Sequence, residues 1–348
     1  MRTIPFFLIS LAIAGLVFIA AFALDNDYYF FAGYVVLQYI VLSTAWNILG
    51  GYCGYVNFGT AAFFALGAYS TVTIYNLIGN NELPHVIPIP VLMLVGGVVS
   101  GIVGFGMGYL TLRLRGAFFS IATLALAVVL ETLVVNWDFV GGSRGAFIIR
   151  PENMPVLGSY VRYLFLMMAL LTVCSLTIAR LIERSRLGYG FATIRDDELA
   201  AEASGVPTLR LKLIATTLSG ALMGMAGAPY PYYIGYLQPD STFALDYAVN
   251  AIAMPLIGGT TSWVGPLIGA VLLDSLQQII TVTISSAVNL LIVGCILVAF
   301  VIIAPNGILG LVHKYLQHRG DDFVGRRKVD PDAPGAATDV GAAPEAPS

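Results

Sequence analysis

Charge is what this chain has least of. Asp, Glu, Lys and Arg together make 11% of its 348 residues, while hydrophobic residues make 58% and the mean hydropathy is +0.84. Soluble domains carry about 25% charged residues, so an ordinary water-soluble globule is excluded. Histidine is almost as scarce. His85, His313 and His318 are the only three, and none stands at ligand spacing from a cysteine or carboxylate, which removes the usual metal centres. The three cysteines, Cys53, Cys174 and Cys295, are odd in number and far apart. They suggest apolar packing, not a disulfide framework. No glycine-rich phosphate loop ending in Lys-Ser or Lys-Thr occurs, so the chain cannot hold ATP by that route. Nor is there a nucleophile, base or metal set for an enzyme. With a net charge of -3 and a pI near 5.6, nothing favours nucleic acid.

What is there is a series of long apolar runs. A spanning helix needs roughly 20 apolar residues, and ten runs approach this: 5–24, 29–49, 56–77, 87–112, 117–135, 160–182, 211–234, 243–257, 264–284 and 287–304. The expected fold is therefore an all-α, polytopic transmembrane helical bundle of about ten spans. The eighth run is short enough to be re-entrant. The first has a longer apolar core than a signal peptide and no small-x-small cleavage site, so it reads as a span.

Basic residues set the orientation. Arg113 and Arg115, the group from Arg180 to Lys212, and the group from His313 to Lys328 all fall on one side if two and then four spans separate them. Both termini are then expected in the cytoplasm, with Arg144 and Arg150 outside beside Asp138 and Glu152. Five spans before and five after the loop at 138–159 allow an inverted 5+5 repeat. The membrane domain is expected over 1–319. The 320–348 tail, rich in Pro, Ala, Gly and Asp, cannot bury enough apolar surface to order itself.

Between the sixth and seventh runs lies a polar island, 183–212, with helix-forming composition, both signs of charge and a Gly205-Val206-Pro207 stop. Such a segment is well placed to be gripped by a soluble partner. Two other stretches interrupt the apolar pattern, Gly50–Gly59 and Gly258–Pro266. Each is either a broken helix lining a watery path or an ordinary turn. Within the spans the main ionisable groups are Glu131 and Asp274. A carboxylate at the bilayer centre costs roughly 2.5–3.5 kcal/mol, so each should face an interior, a cavity or a subunit interface. The pairs Gly97/Gly101, Gly104/Gly108 and Gly220/Gly224 have the spacing that lets helices approach closely.

Several stretches, in order, resemble the LivM-type permease subunits of branched-chain amino acid ABC importers. They are Trp46–Gly54 running into Phe58–Tyr69, Leu112–Ala125, Ala192–Glu202, Gly258–Ala270 and Pro305–Leu311. Urea and short-amide importers use similar permeases. The resemblance implies a bacterial inner-membrane subunit paired with a second, LivH-like permease. It further implies two cytoplasmic ATPases that bind ATP and Mg, and a periplasmic substrate-binding protein. It assigns ATPase coupling to Arg186, Gly188, Ile194, Arg195, Asp196, Asp197, Glu198 and Ala201. It assigns the translocation path to Gly51, Tyr52, Gly54, Asn57, Gly59, Tyr69 and Glu131. Departures occur at Asn57, Val128, Glu131 and Gly141–Gly145. An ion-coupled secondary transporter or channel, with Glu131 as its cation site, is the competing expectation.

Overall fold

The computed structural model describes residues 3–23, 26–79, 87–111, 114, 116–150, 153–154, 158–283, 286–303 and 307–311. Arg113, Arg115, His85, Glu152, the Pro305-Asn306 pair, the basic group from His313 and the 320–348 tail lie outside these residues.

The chain is helical nearly throughout, which is what lipid demands of a backbone that must satisfy its own polar groups. Five helices come first: α1 (Thr3–Ala23), α2 (Asp27–Leu49), α3 (Thr60–Gly79), α4 (Ile89–Thr111) and α5 (Ala117–Val135). Two 3-10 turns, at Asp138–Val140 and Gly142–Arg144, open the following loop. That loop also holds β1 (Ala146–Phe147), β2 (Asn153–Met154) and β3 (Gly158–Ser159). Then come α6 (Tyr160–Glu183), α7 (Arg186–Asp196), α8 (Glu198–Ala203), α9 (Thr208–Gly227), α10 (Tyr230–Ile234) and β4 (Tyr236–Leu237). Last are α11 (Pro239–Thr242), α12 (Leu245–Gly258), α13 (Val264–Thr283) and α14 (Ser286–Ile303). The two-residue strands pair antiparallel, β1 with β4 and β2 with β3.

Among the described residues, eight helices are long and apolar enough to cross a membrane: α1 to α6, α9 with its continuation to Ile234, and α13. The other two expected spans are α14, of 18 residues, and α12, of 14. At 1.5 Å per residue α12 is about 21 Å long, short of a core of roughly 30 Å. Its shortness has a cause. After α9 the chain breaks at Gly227-Ala228-Pro229, forms α10, strand-pairs through β4 with the α5–α6 loop, and turns back through α11. The break delivers Tyr233 onto Tyr34 of α2 at 4.3 Å and Tyr230 onto Phe64 of α3 at 5.1 Å.

Helices in lipid gain little from burying apolar surface against one another, so they hold by close contact. Here α9 is the central helix, packed on both α3 and α4. A Cβ on Gly67 would run into the carbonyl of Gly224, and one on Gly224 into Ser100. The Ser100 hydroxyl itself donates to the carbonyl of Phe63 at 3.0 Å, tying α4 to α3. Gly220/Gly224 of the sequence pattern therefore lies at a real crossing.

The island-side ends of the helices gather. Phe6 of α1 meets Trp263 at 4.8 Å, and Glu183 at the end of α6 accepts the Trp263 N–H at 3.0 Å. Gly307 abuts Gly259. The start of α1, the α12–α13 turn and the start of the segment after α14 thus share the end that carries α7 and α8.

Replacing Gly224 with Val should force the α3/α4/α9 crossing apart. Overpacking costs about 1–3 kcal/mol, so the thermal midpoint in detergent should fall by several degrees. Gly106, where an added Cβ meets nothing within 4 Å, is the control: Gly106→Ala should leave the midpoint unchanged or higher.

Candidate functional site: the polar island and its seat

The island folds as two short helices. Ser185 caps α7, its Oγ accepting from the Leu187 and Gly188 N–H groups at 3.2 and 3.4 Å. Asp197 caps α8, its Oδ1 accepting from Leu199 and Ala200 at 2.9 and 3.1 Å. Both are favoured N-cap residues. One face of the pair is buried through Phe191, Ile194 and Ala201. Gly188 permits the tight turn out of α6, since a Cβ there would strike the Ile182 carbonyl.

Beneath the island lies the α2–α3 connection, Gly50–Gly59. It is a turn followed by extended chain, tied down at each step. The Trp46 indole donates to the Asn57 carbonyl at 2.9 Å, and the Asn57 side chain accepts from Gly59 N–H at 2.7 Å. Ser120 and Thr123 of α5 bond Val56 O and Phe58 N–H at 2.8 and 3.1 Å.

Island and connection are joined by one buried charged group. Lys212 Nζ, at the start of α9, contacts Glu198 Oε1 of α8 at 2.6 Å and Tyr55 Oη at 3.2 Å. The Tyr55 hydroxyl donates to Glu198 Oε2. Lys212 also sits 4.7 Å from the Tyr55 ring centroid, and that ring meets Phe119 edge-on at 5.0 Å. The side chains of Lys212 and Glu198 are only 3% and 13% exposed. Arg195 adds a long contact, Nη1 to Gly51 O at 3.4 Å, and packs its stem on Gly54. Burial pushes the neighbouring Cys53 thiol up to about 12, Lys212 opposing and Glu198 reinforcing the rise. Burial, with the Glu183 charge second, also raises Tyr52 above the usual phenol range.

The residues assigned to coupling from the sequence divide by role. Ile194 and Ala201 anchor the island, Gly188 shapes it, Asp197 caps it, and Glu198 locks it from within. Arg186 and Asp196 face outward, while Arg195 lays its stem on Gly54 and stays partly exposed. Two outward groups escaped the sequence reading: Tyr189 is 72% exposed and Leu199 63%. Helical spacing could have found Tyr189, which stands about 160° from Phe191 at 100° per residue. Lys212 and Tyr55 were beyond pattern reasoning, because their partner is 14 and 143 residues away.

The residues assigned to a path fall into two places. Gly51, Tyr52, Gly54, Asn57 and Gly59 all lie at the island's seat. Tyr69 and Glu131 lie toward the other end, where α11 packs on α3 and α5. There Glu131 is half-buried, on α5, against which α11 with Asp240 packs. Tyr69 is 3% exposed and its Oη has no hydrogen-bond partner. Asp274, which the sequence allowed to face an interior, a cavity or a subunit interface, is buried inside the chain on α13, which packs on α2 and α12. Among the described residues no group of three His, Cys, Asp or Glu could hold a metal.

A helical membrane protein with a rigid, charged, outward-facing helix pair at one end has the form of a transport subunit coupled to a soluble partner. Residues 28–301 match the family model of the branched-chain amino acid transport system permease component. The chain belongs to that family and is a multi-pass inner-membrane permease subunit of an ABC importer. It is 26% identical to the high-affinity branched-chain amino acid permease protein LivM of Salmonella typhimurium, over 84% of this chain and 72% of the relative. A probable LivH permease of Methanocaldococcus jannaschii is 24% identical, over 75% and 85% of the two chains. An autoinducer 2 import permease, LsrC of Yersinia pestis, is 25% identical over 53% of this chain and 52% of its own. No solved structure matches.

Breaking a buried pair by removing one partner costs about 3–5 kcal/mol. Lys212→Met should therefore release the island from its seat. In a chain with Cys174 and Cys295 replaced by Ser, Cys53 should then react with maleimide at least tenfold faster at pH 8. Loss of the Lys212 charge alone would raise the thiol further and slow the reaction, so acceleration reports unlatching. Adding Glu198→Gln to Lys212→Met should recover part of the protection.

Proposed function

We propose that this chain and a second, LivH-like permease together form the path for branched-chain or closely similar small amino acids. Two ATPases bind ATP and Mg and drive it, and a periplasmic binding protein delivers the cargo. The observation that carries this reading is the island. It is fixed to the membrane body from below and presents Tyr189, Leu199, Arg186 and Asp196 above. Exposed apolar side chains on an otherwise polar element suit a docking anchor. The basic residues around α7–α9 put this end in the cytoplasm.

The chain's own part is mechanical. When the ATPases close, α7 and α8 move with the cleft that grips them. The Lys212–Glu198–Tyr55 group passes that displacement to α9 and to the α2–α3 connection together, and α9 carries α3 and α4 through their close crossing. Alternating access then needs a two-state bundle biased by the ATPases, with no chemistry in this chain. Cargo identity rests on the relatives named for branched-chain transport. The LsrC relative carries a different solute, so selectivity is assigned here to the binding protein and to the Glu131, Asp240 and Tyr69 region.

In proteoliposomes holding both permeases, the ATPases and the binding protein, leucine uptake should require ATP. Tyr189→Ala with Leu199→Ala should lower uptake and substrate-stimulated ATP hydrolysis at least tenfold while membrane insertion persists. Uptake by the chain alone, driven by an ion gradient, would overturn the proposal.

A further inference from the structure

Between α1 and the groove of α2, α6 and α13 lies a cavity of about 500 Å³. Its wall includes Phe6, Ile13 and Val17 of α1, Phe165 and Val173 of α6, and Leu267 of α13. The wall's hydroxyls are already engaged, Ser10 with Phe6 O at 2.9 Å and Thr172 with Met168 O at 2.9 Å. Nothing in it asks for water.

The dimensions narrow the occupant. From Phe6 to Val17 a helix rises about 16 Å, close to one leaflet of a core roughly 30 Å thick. A slot about 16 Å long, about 500 Å³ in volume and apolar along its wall suits a single hydrocarbon chain.

At the island end the cavity closes on Phe6 and Trp263, and there Arg180 of α6 is held. Its guanidinium lies 3.9 Å from the Phe6 ring centroid and 5.8 Å from that of Trp263. Arg180 is 6% exposed, and its Nε is buried without a hydrogen-bond partner. Glu183, one turn on, accepts from the Trp263 N–H and makes no ion pair with Arg180. A buried guanidinium without an oxyanion is unusual, because Arg donors are suited to planar bidentate capture of carboxylate or phosphate.

The geometry points to a phospholipid site. One acyl chain of the island-side leaflet lies in the cavity beneath α1, and the headgroup phosphate accepts from Arg180. The bound lipid would fill the space that leaves α1 the least buried of the spans. This site does not depend on the cargo or on the ATPase reading.

The test is native mass spectrometry of the full-length chain, titrated with phosphatidylglycerol in mild detergent. One lipid should be retained through delipidation. Glycerol phosphate, which offers the phosphate without the tail, should bind at least tenfold more weakly. Arg180→Gln and, separately, Ala169→Leu, which adds bulk to the cavity wall, should each weaken retention at least tenfold. Phosphatidylglycerol should also raise the wild-type thermal midpoint by several degrees and leave both variants unmoved. Wild-type protein that keeps no lipid, or equal retention by folded Arg180→Gln, would overturn the site. If Arg180→Gln does not fold, Ala169→Leu decides alone: it retains Arg180, so unchanged retention rejects the cavity as the acyl slot.

Discussion

A lysine and a glutamate buried together at the end of a membrane bundle are an expensive arrangement. Removing each from water costs several kcal/mol, and their attraction offsets this only when the remaining donors and acceptors are also satisfied. Here Tyr55 makes the difference. Its hydroxyl donates to one Glu198 oxygen while Lys212 holds the other, and its ring faces the ammonium. Apolar residues of similar volume could have joined α8 to α9 more cheaply. What a hydrogen-bonded charge group adds is direction: it fixes α8 against α9 and the α2–α3 connection in one register. Apolar contact would tolerate sliding between them.

That fixed register matters because the group ties the island at once to α9 and to the connection that leads into α3. The glycine-lined crossing of α9 with α3 and α4 transmits displacement by hard contact of backbones. A crossing without side-chain padding cannot absorb an ångström of movement. The charged group and the crossing therefore lie in series along α9, with Lys212 near its start and Gly224 near its end. A push on α8 reaches the far half of α3 through one helix. Two-state behaviour of the whole follows more readily from this arrangement than from a chain of soft contacts.

Much of the fold was legible in the sequence, because lipid allows so few solutions. Apolar runs of 19 or more residues became helices within a few residues of their expected bounds. The island's stop was readable from Gly205-Val206-Pro207, whereas the caps at Ser185 and Asp197 emerged only in the structure. The path from α9 to α12 was not. Gly227 and Pro229 look like mild blemishes in an apolar run, yet their combination with the Phe64 carbonyl ends α9 and starts an excursion that pairs with β1. Tertiary contact decided it, and no local pattern carries that. The coupling surface divides the same way. Buried anchors follow from spacing, whereas Glu198 looks like a surface charge until Lys212 and Tyr55 are placed beside it.

The excursion also changes what the far end can do. It seats α11, which carries Asp240, against α3, which carries the unpartnered Tyr69 hydroxyl, and against α5, which carries Glu131. On the function proposed above, carboxylates on neighbouring elements would favour a cation over an anion or a neutral solute. The amino group of an amino acid has that charge, and urea and simple amides do not. The three elements that supply these groups pack on one another, and α3 among them also packs on α9. On the function proposed above, binding of the amine at this end and displacement of α8 at the other would both bias the position of α3. Reciprocity of coupling requires that each bias the other by the same free energy.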